Sequence, residues 1–442
     1  MLNIINILFI VFLTFLVLYK EKYFLLAILY SLFIPHDLVY ENLASGMEFI
    51  LIAYFFALFV FTRFYSGLRF RIDSFAQLTL LMALIMSLYA CVTALRIGEL
   101  NPTLVFYSIG YFCFSFIYLM LLNTIDRHNL DDKRIILFSI IILAIITAAL
   151  AGPALEFLFF ESSGEANAFF LLEQGGGYIW LGGINARSRL LGVCILFMFT
   201  VLAHRVELKK ILLMIPILIP SFFILISYTS RSAVLALMLS IASFFLINIF
   251  SNKNSGYEKF KYLMFTVITG LALISIVLLN QNFIDKVLVL FIPQVGSEFA
   301  FVRYEIINEV LKSAQDTLFL GNGFLHNNLD PNAYESNILS TGKRAHNLIA
   351  ALILDTGVFG LTVFSMVLIS MFRIFNRYRT SFLYNSFYSS IVFPQIVYFI
   401  TSSLFTDSVI FRPRATIFLL IFLALLSNMN YKNIIRKPIE NV

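Results

Sequence analysis

The sequence predicts an all-α, polytopic membrane protein of about 12–13 spans. Of its 442 residues, 60% are hydrophobic and only 13% are charged, about half the charged share of an ordinary soluble domain. No water-soluble fold could bury that much apolar surface. The apolar runs are continuous, whereas the strands of a membrane β-barrel alternate with period two. This composition excludes a secreted domain, a cytosolic enzyme and a nucleic-acid-binding protein.

Thirteen apolar segments are candidate spans, although the second is short for a crossing of about 20 residues. They cover 2–18, 23–35, 47–62, 75–95, 104–123, 135–150, 190–204, 211–229, 233–250, 262–280, 347–371, 382–404 and 415–429. The first has no small-residue cleavage site and is expected to stay as an anchor. The three cysteines lie within apolar runs and are expected to be small buried hydrophobes.

The basic residues predict the orientation of the spans, because cytoplasmic loops are enriched in Lys and Arg. Every second loop is basic, and these loops together hold 20 of the 31 Lys and Arg residues. They lie at 20–22, 63–71, 127–134, 205–210, 253–261, 373–379 and 432–437. These loops are therefore expected to face the cytoplasm, together with the C-terminus.

Two loops on the opposite, outer face are long. One is 151–189, which contains four glutamates and a run of three glycines, and the other is 281–346. The chain is thus divided into spans with short cytoplasmic loops (1–280), a large outer loop (281–346), and C-terminal spans with a short cytoplasmic tail (347–442). Apolar and charged residues at helical spacing predict an amphipathic helix near 302–314 in the large loop. Binding or chemistry is expected on the outer face.

The outer face also carries cations whose positions are informative. They are Arg96, Arg187, Arg189, Arg231, Arg303, Lys343, Arg344, Arg412 and Arg414, with two lysines elsewhere. Arginine at a bilayer usually faces a partner or a water-filled cavity, and its planar guanidinium suits bidentate phosphate binding. The alternative is contact with lipid headgroups, which we favour for Arg96, Arg412 and Arg414. For Arg231, between Ser230 and Ser232 in a tight link between two spans, we favour anion binding.

Two other polar residues flank or enter the segment at 347–371. His346 follows Lys343 and Arg344, and nearby cations favour the neutral imidazole that a general base requires. A helix cap or a surface residue is the alternative. Asp355 lies about 13 Å along the predicted helix, where it could pair with a neighbouring helix or relay protons.

Four short motifs resemble, in order, those of the O-antigen ligase/polymerase superfamily. The most specific is His346-Asn347, nine residues, then Gly357-Val358-Phe359-Gly360, with Asp355 in its acidic position. The others are Arg189-Leu190-Leu191-Gly192, Ser230-Arg231-Ser232, and Arg303 followed by Gly321-Asn322-Gly323. Ile306-Ile307 stand where the family often has tryptophan. The resemblance covers roughly residues 185–365.

The resemblance implies a bacterial inner-membrane glycosyltransferase of the class C architecture with a periplasmic active site. Its donor would be an undecaprenyl-diphosphate-linked oligosaccharide, its surroundings membrane lipid, and a chain-length regulator a partner. No cofactor or metal is expected, and the sequence has no Asp-x-Asp or His/Cys cluster. His346 would be the catalytic base, with Asp355 and Glu305 as the next candidates. Arg189, Arg231 and Arg303 would bind the diphosphate, with Arg187 and Arg344 in secondary roles.

Three functions remain open at this stage. A polymerase would add the growing glycan to a new lipid-linked repeat unit, whereas a ligase would move the finished glycan onto lipid A-core. The high Phe and Ile content and the weak likeness outside the motifs favour the polymerase, since polymerases diverge with their glycans. A flippase of lipid-linked glycans would need cations lining the spans or two related halves, and neither is visible.

Overall fold

The computed structural model is entirely helical, apart from turns and bends, in the residues that it describes. These residues are 2–33, 47–99, 101–125, 184–205, 231–250, 348–380, 386–404 and 413–436, with short pieces within 221–225, 256–264 and 312–324. Six of the described helices are long and apolar enough to cross a membrane. The prediction of a polytopic, all-α membrane protein is therefore confirmed.

The helices follow the predicted apolar segments closely. They are α1 (Leu2–Tyr19), α2 (Phe24–Phe33), α3 (Met47–Tyr65), α4 (Ser74–Ile97), α5 (Pro102–Thr124), α6 (Ile184–Arg205), α7 (Arg231–Ile249), α8 (Leu348–Arg379), α9 (Ser386–Leu404) and α10 (Pro413–Arg436). The predicted spans at 135–150, 211–229 and 262–280 lie wholly or mostly outside the described residues, as does nearly all of the predicted amphipathic helix. The total of 12–13 spans and the three-part division therefore remain predictions.

The chain forms two compact units. The first contains Met1–His128, Glu298–Leu383 and Ser403–Val442, and the second contains Asn129–Ser297 and Tyr384–Ser402. In the first unit, α5 packs against α2, α3, α4 and α10, and α8 packs against α4 and α10. In the second unit, α6 packs against α7 through the rings of Phe199, Phe244 and Phe245, whose centroids lie 5.3–5.7 Å apart.

One end of the first unit is held by buried polar contacts, which we call the inner-end cluster. Arg63 is only 8% exposed and donates to the Glu21 carboxylate at 2.8 Å and to the Asn123 carbonyl. Arg71 donates to the carbonyl of Ser427 at 2.7 Å and to the side chain of Asn428. Hydrogen bonds of charged groups each contribute about 1.5–3 kcal/mol, so this cluster joins α3, α5 and α10 firmly.

Asp73 completes the inner-end cluster as the N-cap of α4. One carboxylate oxygen accepts from the Ala76 amide at 2.9 Å, and the other accepts from Tyr118 at 2.7 Å and Ser427 at 2.6 Å. Loops that the charge pattern assigns to one face thus meet at one end of the unit. Asp73 and Arg96 lie at opposite ends of α4, about 35 Å apart at 1.5 Å per residue.

Candidate functional site

Helix α8 is broken within the Gly-x-x-Gly motif. Gly357 has φ 64° and ψ −161°, a conformation that only glycine adopts without strain. The sequence predicts one continuous helix here, with Asp355 well inside it. The structure instead puts Asp355 two residues before a break, because a single glycine in an apolar run does not by itself reveal such a turn. A break leaves helix carbonyls without their usual donors.

Those carbonyls are bonded by a turn from the large outer loop. The Asn322 amide donates to the carbonyl of Leu354 at 2.7 Å, and the Gly323 amide donates to the carbonyl of Asp355 at 3.0 Å. Within the turn, the Gly321 amide donates to the Thr317 carbonyl at 2.7 Å. The two Gly-rich motifs of the sequence are therefore two sides of one contact.

Each of the three glycines at this contact is required for a different steric reason. A Cβ on Gly321, where φ is already +66°, would lie 2.5 Å from the carbonyl carbon of Asp355. A Cβ on Gly360 would collide with the hydroxyl of Thr356, a side chain that is fully buried. Gly357 supplies the break itself. Each glycine permits an approach that a side chain would block.

Phe324 anchors the turn on the membrane helices. Its side chain is 2% exposed, and its ring lies edge-on to those of Tyr107 and Tyr111 on α5, with centroids 6.2 Å apart in both pairs. Arg96, at the last turn of α4, donates from Nη1 to the Asn322 carbonyl. Arg96 therefore contacts the large outer loop, a partner that the sequence did not reveal. Contact of Arg96 with lipid headgroups remains a prediction.

The Arg-x-x-Gly motif forms a second contact, within the second unit. Helix α6 begins at Ile184, six residues before the predicted span, so Arg187 and Arg189 lie on a helix and not in a loop. Arg189 is 4% exposed, and its carbonyl accepts a hydrogen bond from the Tyr398 hydroxyl on α9 at 3.0 Å. An enclosed guanidinium is stabilised only where acceptors or anions offset its desolvation, so headgroup contact does not describe Arg189.

Gly192 is needed for that contact, and its replacement tests it. A Cβ on Gly192 would collide with the Tyr398 hydroxyl, so we expect Gly192→Ala to lower the free energy of unfolding by about 1–3 kcal/mol. Tyr398→Phe should lower the free energy of unfolding less in the Gly192→Ala background than in the wild type, because loss of the hydroxyl partly relieves the collision. Thermal unfolding of the detergent-solubilised variants measures both effects.

The control for this cycle is Gly256→Ala, because nothing lies within 4 Å of a Cβ at Gly256. It should unfold like the wild type. Strictly additive effects of Gly192→Ala and Tyr398→Phe would show that the motif glycine does not make room for this tyrosine.

The remaining predicted site residues are placed only in part. Arg231 is the first residue of α7, close to the predicted start of its span, and Arg187 is placed by its backbone alone. His346, Arg303 and Arg344 lie outside the described residues. Arg187, Arg189 and Arg231 belong to the second unit, and Arg303, Arg344 and His346 to the first. Binding of one diphosphate beside His346 requires these residues to converge on one cavity, and this convergence is a prediction.

Comparison with known proteins gives one family match. Residues 215–365 match the family described as O-Antigen ligase. No curated protein matches the chain. The matched range contains Arg231, the turn at 321–324 and the break at Gly357, which are the features that the motifs singled out. Residues 215–365 are therefore similar to the O-antigen ligase/polymerase superfamily, in agreement with the resemblance of the motifs.

Proposed function

We propose that the protein is a polysaccharide polymerase of the bacterial inner membrane. It transfers a growing glycan from undecaprenyl diphosphate to a sugar hydroxyl of another lipid-linked repeat unit on the periplasmic side. The observation that carries the proposal is the family match over 215–365, a range in which the break of α8 and the outer-loop turn join two of the family's motifs. A superfamily of ligases and polymerases handles lipid-linked polysaccharide.

His346 acts as the general base in this reaction. A sugar hydroxyl is a poor nucleophile until its proton is removed, and a positioned base contributes about 10²–10⁴-fold. The proton passes to the imidazole, a bond forms between the acceptor oxygen and the anomeric carbon, and the bond from that carbon to the diphosphate breaks. One base and one leaving group in line give inversion at the anomeric carbon.

The arginines stabilise the departing undecaprenyl diphosphate. Fixed cations placed where charge develops lower the barrier most effectively in a water-poor site. Arg189, Arg231 and Arg303 fill this role, assisted by Arg187 and Arg344. Two facts support it: Arg189 is enclosed by protein, and Arg231 is at the start of α7, where the helix dipole also attracts anions.

Arginines in these positions make the transferase independent of a metal ion. Purified enzyme should therefore form polymer from lipid-linked repeat units equally well with and without EDTA. Activity that is lost with EDTA and restored by a divalent cation would contradict this part of the proposal.

The ligase is the second candidate, since the matched family carries that description. We favour the polymerase because the match covers 215–365, which bears three of the four motifs, as expected where much of the chain diverges with the glycan. A lipopolysaccharide gel of a deletion strain separates the functions. A single repeat on the core indicates a polymerase, and bare core with accumulated lipid-linked polymer indicates a ligase. Lipid-linked repeat units retained on the cytoplasmic side would indicate a flippase.

Replacing Arg231 by lysine should slow transfer about tenfold to a hundredfold although the charge is kept. Lysine cannot make the two parallel hydrogen bonds of a guanidinium to diphosphate oxygens, and each such bond contributes about 1.5–3 kcal/mol. The length of the polymer ladder at matched expression reports the loss.

Arg412→Lys is the matched control, because Arg412 is an outer arginine that we assign to lipid headgroups. It should leave the ladder unchanged. A normal ladder from Arg231→Lys as well would return Arg231 to the same headgroup role.

A further inference from the structure

Arg96, on α4, connects the first half of the chain to the large outer loop by a hydrogen bond. Its guanidinium donates to the Asn322 carbonyl, and the two residues are 226 positions apart in the chain. The Asn322 side-chain oxygen accepts from the Thr317 hydroxyl at 2.6 Å. Asn322 is thus bonded to α8 through its amide, to Arg96 of α4 through its carbonyl, and to Thr317 within the turn through its side chain.

The two amide contacts close a segment of the chain. Asn322 and Gly323 are bonded to Leu354 and Asp355, so residues 324–353 begin and end at the same place. His346 lies within this segment. Fixing both ends of a chain segment restricts the positions open to the residues between them, and a catalytic group needs its position held closely.

Arg96 strengthens this closure from a second direction. Amide bonds alone would let the turn pivot about the two carbonyls of α8. A guanidinium bond to the Asn322 carbonyl, together with the buried ring of Phe324, fixes the turn to α4 and α5 as well. Helix α4 packs against both α5 and α8 in the first unit, so the three contacts of the turn are made to helices that α4 holds together.

We propose that Arg96 is a positioning residue for glycan transfer: it holds the outer-loop turn on the broken helix α8 and thereby fixes the segment that carries His346. The inference rests on the proposed function for its effect on turnover. The structural part of the proposal, that Arg96 holds the turn, does not depend on which reaction the protein catalyses. Arg96 does not touch the reacting atoms in this proposal.

The test combines hydrogen–deuterium exchange with steady-state kinetics on purified full-length protein. In Arg96→Ala, the amides of Asn322 and Gly323 should exchange about tenfold to a hundredfold faster. Turnover of lipid-linked repeat units, measured as kcat, should fall by a similar factor, with KM for the donor within about twofold. Arg96→Lys keeps one donor for the Asn322 carbonyl and should restore most of both properties.

Arg377→Ala is the matched control, because Arg377 is an exposed arginine at the other end of α8. It should change neither readout. Unchanged exchange in Arg96→Ala would overturn the proposal, as would faster exchange with normal kcat. Failure of lysine to rescue would show that the bond to Asn322 is not what matters. If the wild type transfers no glycan, the proposed function fails, while the exchange still decides whether Arg96 holds the turn.

Discussion

Replacing His346 by alanine should abolish or nearly abolish glycan transfer and leave the protein inserted and folded. The acceptor hydroxyl must lose its proton as it attacks, and loss of a positioned base costs about 10²–10⁴-fold in rate. His346 precedes the first residue of α8, Leu348, so the substitution is expected to remove little core packing. Purified variants supplied with lipid-linked repeat units give the rate, and size-exclusion profiles in detergent give the folded state.

Three further variants sharpen this result. Glutamate at position 346 can accept a proton and should retain some activity, whereas His346→Gln should not. His326→Ala changes another histidine of the large outer loop and should be close to normal. Substantial transfer by His346→Ala would place the base elsewhere, with Asp355 and Glu305 as the next residues to replace.

Replacing Gly357 by alanine should reduce transfer at least about tenfold, because it acts on the break of α8. Alanine at φ 64° and ψ −161° is strained by about 1–3 kcal/mol, whereas in a continuous helix it is favourable. Straightening would return the carbonyls of Leu354 and Asp355 to bonds within α8 and release the turn. Faster amide exchange at 322–323, measured beside the transfer rate, would report that release.

Gly321→Ala should reproduce the effect from the opposite side of the contact. Its matched control is Gly67→Ala: the two glycines have φ of 66° and 63°, but nothing lies within 4 Å of a Cβ at Gly67. The control has a similar positive φ without the collision. If Gly321→Ala and Gly357→Ala both keep normal transfer while the turn is released, the contact has no part in activity.

The helices could be predicted from the sequence because the signal for a span is local. About 20 apolar residues bounded by charges identify a crossing without knowledge of its neighbours, and α3, α4 and α9 begin and end within a few residues of the predicted segments. The sidedness that the charges predict for the two ends of α4 remains a prediction. Helix α6 was placed less well, because its first residues are polar and hydropathy detects only the apolar part.

The contacts at the candidate site could not be predicted in this way. The break at Gly357 depends on donors from Asn322 and Gly323, more than thirty residues earlier, and no local pattern reports them. The contact between Arg96 and Asn322 was likewise not visible in the sequence. The motif at 357–360 could be recognised as a motif, yet the reason for its glycines required the structure. The roles of His346, Arg231 and Arg303 remain predictions.

The inner-end cluster has a consequence for the order in which the chain is made. Arg71 and Asn428 are 357 positions apart, so at about 5–20 residues per second the ribosome needs about 20–70 s to deliver the partner. Until then the charged side chains of Arg71 and Asp73 must be solvated by water. Helices α3 to α5 can insert early, but the packing that fixes their ends is completed only when α10 emerges.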